Sequence, residues 1–163
     1  MKPELIHSLY VNELKDLYSA EKQMEQVLPR MARAAASQDL KASFETHLLE
    51  TRDHVARLEH VFSLAEAEPE GTTSRGMETL INEAASVMEH ESNPELRDAA
   101  LLAVAQKAEH YEIAGYGCVR TYAELLGLTE AARYLQATLN EEKQTDLKLA
   151  DLAEYLFHDA VAA

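Results

Sequence analysis

The acidic residues that could do chemistry here sit in apolar company. The stretch KAEHYEIAGYG, residues 107–117, places Glu109 and Glu112 three positions apart among Ala, Tyr, Ile and Gly. On a helix, residues three apart share one face. A carboxylate on an inward face is costly to bury unless a cation accompanies it. The same pattern recurs at Glu21 within SAEKQMEQVLPRMARA, at Glu50 within HLLETRDH, and at Glu142 within LNEEKQTDLKLADLA. Carboxylates that converge from facing helices can hold divalent cations, and a pair of such ions is a recurrent site inside helical bundles.

The elements that must position these acids can be read from the punctuation. Five glycines and four prolines interrupt the chain, and no period-2 strand pattern is evident. A first helix is predicted from Pro3 to about Ser37, with Pro29 kinking or breaking it near Leu28. A second is predicted from about Asp39 to Ala67. EPEGTTSRG, residues 68–76, reads as a loop, and Ser74 is placed to cap a short helix over 75–91. Ser92-Asn93-Pro94 is a stop and restart, with Pro94 suited to the first helical turn. A fourth helix should run over 94–126 and end at Gly127. Thr129 should cap a fifth that reaches about His158. Short connections within each long pair predict two antiparallel hairpins, and the long connection between them predicts an all-α four-helix bundle with one crossover. The chain is expected to form a single domain over residues 1–163.

Steps of four and three pick out the inward seams. The first helix gives Tyr10, Leu14, Leu17, Glu21, Met24, Leu28 and Met31. The fourth gives Leu101, Ala105, Ala108, Glu112, Gly115 and Val119, and the fifth gives Leu135, Leu139, Glu142, Asp146 and Leu149. In the second, Phe44, Leu48, Val55, Leu58 and Phe62 form the stripe, with His47, Glu50 and His54 beside it. Residues equally far from a hairpin turn share a height. Glu112 and Glu142 are centred on Gly127, and Glu21 and Glu50 are centred beside Ala36. The near-equal spacings suggest that the two halves are a diverged structural repeat, with four glutamates in one layer. The ordinary explanation of a single seam glutamate is register-setting or a Lys or Arg partner, and Lys107 and Arg120 are available. Four in one layer favour a metal site.

Composition narrows the function classes. The formal net charge of −14 opposes binding to nucleic acid or to an anionic membrane. No apolar run approaches the ~20 residues that span a bilayer. The charged N-terminal stretch does not read as a signal peptide, and a cytoplasmic location is expected. The single cysteine, Cys118, reads as a small buried hydrophobe and offers neither an internal disulfide nor a cysteine cluster. No nucleophile triad, phosphate-cradling loop or dinucleotide fingerprint is present. His7, His60, His90 and His158 read as surface or interface histidines. His110 reads as surface or as support for the acids. Tyr111, Tyr116 and Tyr122 read as core residues with satisfied hydroxyls.

Together with RDAALLAVAQKAEHYEIAGYG, the three stretches quoted above resemble the YciE/YciF-type bacterial stress proteins, a ferritin-like family, over nearly the whole chain. The resemblance implies a rubrerythrin- or ferritin-like bundle, a homodimer, and two metal ions, iron or manganese. Glu21, Glu50, Glu112 and Glu142 stand where the ferritin-like pattern has its four glutamates, and Glu109 with Glu112 resembles the Glu-x-x-Glu pair of rubrerythrins. The pattern's Glu-x-x-His is absent, because Asp53 follows Glu50 and Thr145 follows Glu142 at that spacing. His47, His54 and Asp146 are the candidate substitutes. Such an oxygen-rich set would also suit calcium or magnesium.

The expected function is a dinuclear metal protein of the stress response, acting on Fe(II), oxygen or peroxide. The competing expectations are a structural or interaction bundle with vestigial acids, and iron storage in a cage. The short helix, through Met77, Leu80, Ile81 and Met88, is the candidate two-fold contact.

Overall fold

The computed structural model describes residues 3–69 and 72–157. Its helices are α1 (Pro3–Ala34), α2 (Gln38–Leu64), α3 (Arg75–His90), α4 (Pro94–Leu125) and α5 (Thr129–Phe157), with no strand among the described residues. The expected boundary at His158, and Glu70 and Gly71 of the crossover loop, lie outside the described residues.

Local chemistry sets the helix ends. The Ser37 side chain accepts the Leu40 N–H at the start of α2, and Asn93 accepts those of Glu95 and Leu96 ahead of Pro94. These bonds satisfy donors that the first turn of a helix leaves unpaired. Gly127 adopts φ 73° and so ends α4 in a backbone conformation that favours glycine. Two expectations are corrected. Pro29 does not break α1, which runs on to Ala34; Leu28 and Met31 on either side are buried in the core and hold the helix in place. Ser74 occupies the N-cap position of α3 without capping it. Its buried hydroxyl instead donates to Asp16 and pairs with the Tyr111 hydroxyl at 2.8 Å.

Around the bundle the helices neighbour one another in the order α1, α2, α5, α4, and α3 lies across α1 and α4. Neighbours run antiparallel. Along α2 and α5, Glu50 meets Thr145, His54 meets Glu141 and Arg57 meets Thr138, one index falling as the other rises. The apolar stripe of α3 turns onto the core: Met77 and Ala84 are buried, and Leu80, Ile81 and Met88 pack against it. That stripe is therefore used within the chain. Asp98 of α4 ties the two hairpins together by accepting the N–H groups of Ala36 and Ser37 at 2.9 and 2.7 Å.

The buried apolar residues form two separate clusters. One gathers Met24, Leu28, Met31, Phe44, Leu101 and Leu149, and the other gathers Leu14, Leu17, Leu58, Phe62, Val119 and Leu139. In α1, Glu21 falls between Leu17 of one cluster and Met24 of the other; in α5, Glu142 falls between Leu139 and Leu149. The bundle thus has a polar layer between two apolar ones. None of its described helices is long and apolar enough to cross a membrane.

Candidate metal centre

Four helices supply the polar layer. Glu21 comes from α1, His47 and His54 from α2, Glu109 and Glu112 from α4, and Glu142 from α5, all fully or almost fully buried. Their donor atoms fall into two groups. His47, Glu109, Glu112 and Glu142 form one, Glu21, His54 and Glu142 form the other, and within each the ligand atoms lie within 4.8 Å of one another. Glu142 belongs to both.

Individual distances have the scale of co-ligands. His47 Nε2 lies 3.1 Å from Glu109 Oε1, and His54 Nδ1 lies 3.0 Å from Glu142 Oε1 and 3.3 Å from Glu21 Oε1. Adjacent donors at about 2.1 Å from one octahedral ion are separated by about 3 Å. None of these contacts has hydrogen-bond geometry. Among the described residues, both oxygens of Glu109, Glu112 and Glu142 lack a hydrogen-bond partner, as do Glu21 Oε2, His47 Nδ1 and His54 Nδ1. Buried polar atoms are rarely left so, and a cluster of them marks a place for an ion or water.

The cations that could have neutralised these acids are engaged elsewhere. Lys107 pairs with Glu83 at 2.6 Å on the exterior, and Arg120 pairs with Glu124 at 3.3 Å. No Lys or Arg forms an ion pair with Glu21, Glu109, Glu112 or Glu142 among the described residues.

Protonation follows from this isolation. Burial raises the carboxyl of Glu112 well above its usual range, with the charges of Glu21 and Glu142 adding to the effect. Burial, then the charge of Glu142, does the same to Glu109. Glu21 is also raised by burial, against the opposing pull of His54. His47 is lowered to about 4 by burial and so is a neutral imidazole at neutral pH. Burial pulls His54 down too, but the carboxylates of Glu142 and Glu21 outweigh it and hold the ring at about 11. Without metal, then, the layer retains protons. Tyr116, buried on α4, donates to Glu21 Oε1 at 2.6 Å, and burial raises its phenol well above the ordinary value.

Two of the sequence candidates stand apart from these groups. Glu50 is half-buried, accepts the Thr145 hydroxyl at 3.0 Å and pairs with Lys148 at 3.4 Å. The inward face of α2 is Phe44, His47, Thr51, His54 and Leu58, and Glu50 lies about 100° around the helix from Thr51. The equal-height rule also slips by about one turn here. Glu25 meets Arg52 and Glu21 meets His54, so His54 takes the level expected for Glu50. Asp146 is half-buried and lies 3.2 Å from the exposed His110. Three expectations about other residues are settled as follows. Cys118 is exposed and not buried, because Val119 takes the inward position beside it. His7, His60 and His90 are exposed, and His158 lies outside the described residues. Tyr116 and Tyr111 have bonded hydroxyls, the latter donating to Asp16.

Sequence reasoning passed over Glu141. Its carboxylate lies at the outer edge of the layer, 3.0 Å from His54 Nε2, and takes both terminal nitrogens of Arg57. Arg57 also donates to Thr138. The pairing would be legible only once α2 and α5 were known to be antiparallel neighbours.

Protein YciF of Escherichia coli (strain K12) is 45% identical over 157 residues, covering 94% of this chain and 93% of that protein. The crystal structure of that E. coli stress protein superposes with a TM-score of 0.90 at 44% identity, covering 94% of this chain and 97% of the other. YcfI of Rhodopseudomonas palustris, provisionally described as a structural protein, gives 0.85 at 37% identity, covering 92% and 94%. A ferritin-like, diiron-carboxylate protein from Bacillus anthracis str. Ames gives 0.72 at 18% identity, covering 91% and 97%, which establishes a shared ferritin-like bundle fold. Residues 6–162 match the family described as a domain of unknown function, DUF892. The chain belongs to that family, and its fold is the ferritin-like helical bundle.

Proposed function

We propose that this protein binds two divalent metal ions in its polar layer and supports oxidation chemistry there. The observation that carries this reading is the convergence of four buried carboxylates and two imidazoles, with no Lys or Arg paired to the carboxylates among the described residues. Charge favours two ions. Four ionised carboxylates with two neutral imidazoles carry four negative charges, which two divalent cations balance. His47, Glu109 and Glu112 would hold one ion and Glu21 and His54 the other, with Glu142 common to both groups.

The donor set guides the choice of metal. Two imidazoles beside four carboxylates suit iron or manganese better than calcium or magnesium, which prefer oxygen alone. When bound, a redox-active pair would supply the electrons for reaction with oxygen or peroxide. The chain's own part is to orient and insulate. Tyr116 fixes one oxygen of Glu21 by its hydrogen bond, and the apolar clusters on either side keep bulk water from the carboxylates. The ferritin-like, diiron-carboxylate description of the B. anthracis protein is consistent with this role. A structural bundle with vestigial acids would be expected to bond or expose its carboxylates, whereas Glu109, Glu112 and Glu142 are buried with neither oxygen hydrogen-bonded among the described residues.

Metal analysis tests the proposal. Protein prepared without chelator and equilibrated with Fe(II) or Mn(II) should hold about two ions per chain, and Glu112→Ala should hold fewer. Equal, near-zero content in both proteins would refute it.

A further inference from the structure

Most of the polar network around the layer closes on itself, but one strand of it leads out to the surface. His54 touches the interior carboxylates through Nδ1 and touches Glu141 through Nε2, at 3.0 Å. Glu141 is partly exposed and is gripped by Arg57, whose second terminal nitrogen donates at 2.9 Å. A carboxylate so held is ionised and can only accept hydrogen bonds. The proton facing it must therefore reside on Nε2 of His54. Nδ1, which faces Glu21 and Glu142, is then the nitrogen whose proton a metal ion would displace to gain a lone pair.

We propose that Glu141, held by Arg57, is a positioning residue that fixes the ring orientation and tautomer of His54 so that Nδ1 serves the metal site. The inference rests on the dinuclear reading above. It adds a residue that the ligand pattern does not include. Histidines that bind metals commonly donate their other N–H to a carboxylate, and loss of that partner typically weakens metal binding about 10–100-fold. The two histidines of α2 differ in this respect. His47 Nδ1 has no hydrogen-bond partner among the described residues, so only the Glu21–His54 side of the layer has this support.

The test compares wild type with Glu141→Gln, which keeps the shape and removes the charge, and with Arg57→Gln, which releases the carboxylate. Co(II) binding is followed by visible absorption. In metal-free protein, His54 and His47 are followed by long-range 1H–15N correlation, with His47 as the internal control. The expected result is that Glu141→Gln weakens one of two Co(II) steps about 10–100-fold and moves the nitrogen signals of His54 while leaving those of His47 in place. Arg57→Gln should move the same signals in the same direction by less. Co(II) affinities within about twofold of wild type at both steps, or His54 signals unmoved, would overturn the proposal. If wild type takes up no Co(II), the dinuclear reading fails, and the nitrogen signals alone decide whether Glu141 holds the His54 ring.

Discussion

His54 Nδ1 of α2 lies 3.0 Å from Oε1 of Glu142 on α5, and Glu142 is shared by both ligand groups of the buried layer. Each residue needs the other's helix. Leu58 and Phe44 turn the His54 face of α2 inward, while Leu139 and Leu149 do the same for Glu142. Antiparallel pairing of α2 with α5 then brings both to one level.

A shared ligand should be the most damaging to lose. Glu142→Gln is expected to weaken both metal steps, whereas Glu112→Ala weakens chiefly one. Glu50→Ala should change either affinity by less than about fivefold, the scale of an exposed ion pair worth up to about 1 kcal/mol. Isothermal titration with Mn(II) on the three variants checks the ranking, and a Glu50→Ala loss as large as that of Glu142→Gln would place Glu50 in the site.

Protons and metal should compete for the layer. Glu21, Glu109 and Glu112 have raised pKa values in the metal-free fold, which therefore binds more protons than the unfolded chain above the ordinary carboxylate range. Their contribution to stability is full at low pH and is lost as pH rises through the raised values. His54 acts in the same direction, losing its contribution as pH rises toward about 11. His47, lowered to about 4, works oppositely, so its contribution is present above the ordinary histidine value and lost as pH falls toward about 4. Above neutrality, metal-free protein should thus melt at progressively lower temperature. Metal displaces the protons, so the rise in melting temperature on adding Mn(II) should grow from about pH 6 to about pH 8.5. Calorimetry at both values measures it, and a shift independent of pH would contradict the protonation scheme.

The joint between the hairpins has its own energetic signature. Asp98→Ala removes the acceptor of two backbone N–H groups at the α1–α2 turn. A cost of about 3 kcal/mol is expected, since hydrogen bonds to a charged group contribute about 1.5–3 kcal/mol each. Asp98→Asn, which keeps one acceptor oxygen, should lose less. Urea unfolding of metal-free protein gives both values.

The crossover segment is fastened by Tyr111, whose hydroxyl reaches Asp16 and Ser74. Gly76 at the start of α3 lies against that ring, and a Cβ there would overlap it. Gly76→Ala should cost about 1–3 kcal/mol by overpacking. Protease cleavage near residue 72 should then quicken relative to wild type, and unchanged cleavage would show that the ring can move without releasing the segment.

Much of this arrangement was legible in the sequence, for reasons tied to particular residues. Pro94 and Gly127 fixed two helix ends because proline presets the backbone of a first turn, while glycine readily takes the left-handed conformation that ends a helix. Glu21, Glu112 and Glu142 stood out because each interrupts a regular apolar seam. The second helix was harder. Its inward face carries His47, Thr51 and His54, polar residues to which an apolar count is blind, while the half-buried Leu48 drew the stripe outward. Equal distance from the hairpin turn is what puts Glu50 in the layer, with His54 as a candidate substitute ligand, and that rule slips by about one turn between α1 and α2. Asp146 took its place from strict seam spacing, whereas α5 turns Thr145 inward instead.

Crystals grown with Mn(II), examined for anomalous scattering at the manganese edge, test the central claim most directly. Two peaks per chain are predicted, one among His47, Glu109, Glu112 and Glu142 and one among Glu21, His54 and Glu142. A layer without anomalous density, or manganese bound only to exterior acids such as Glu50 and Asp146, would contradict it.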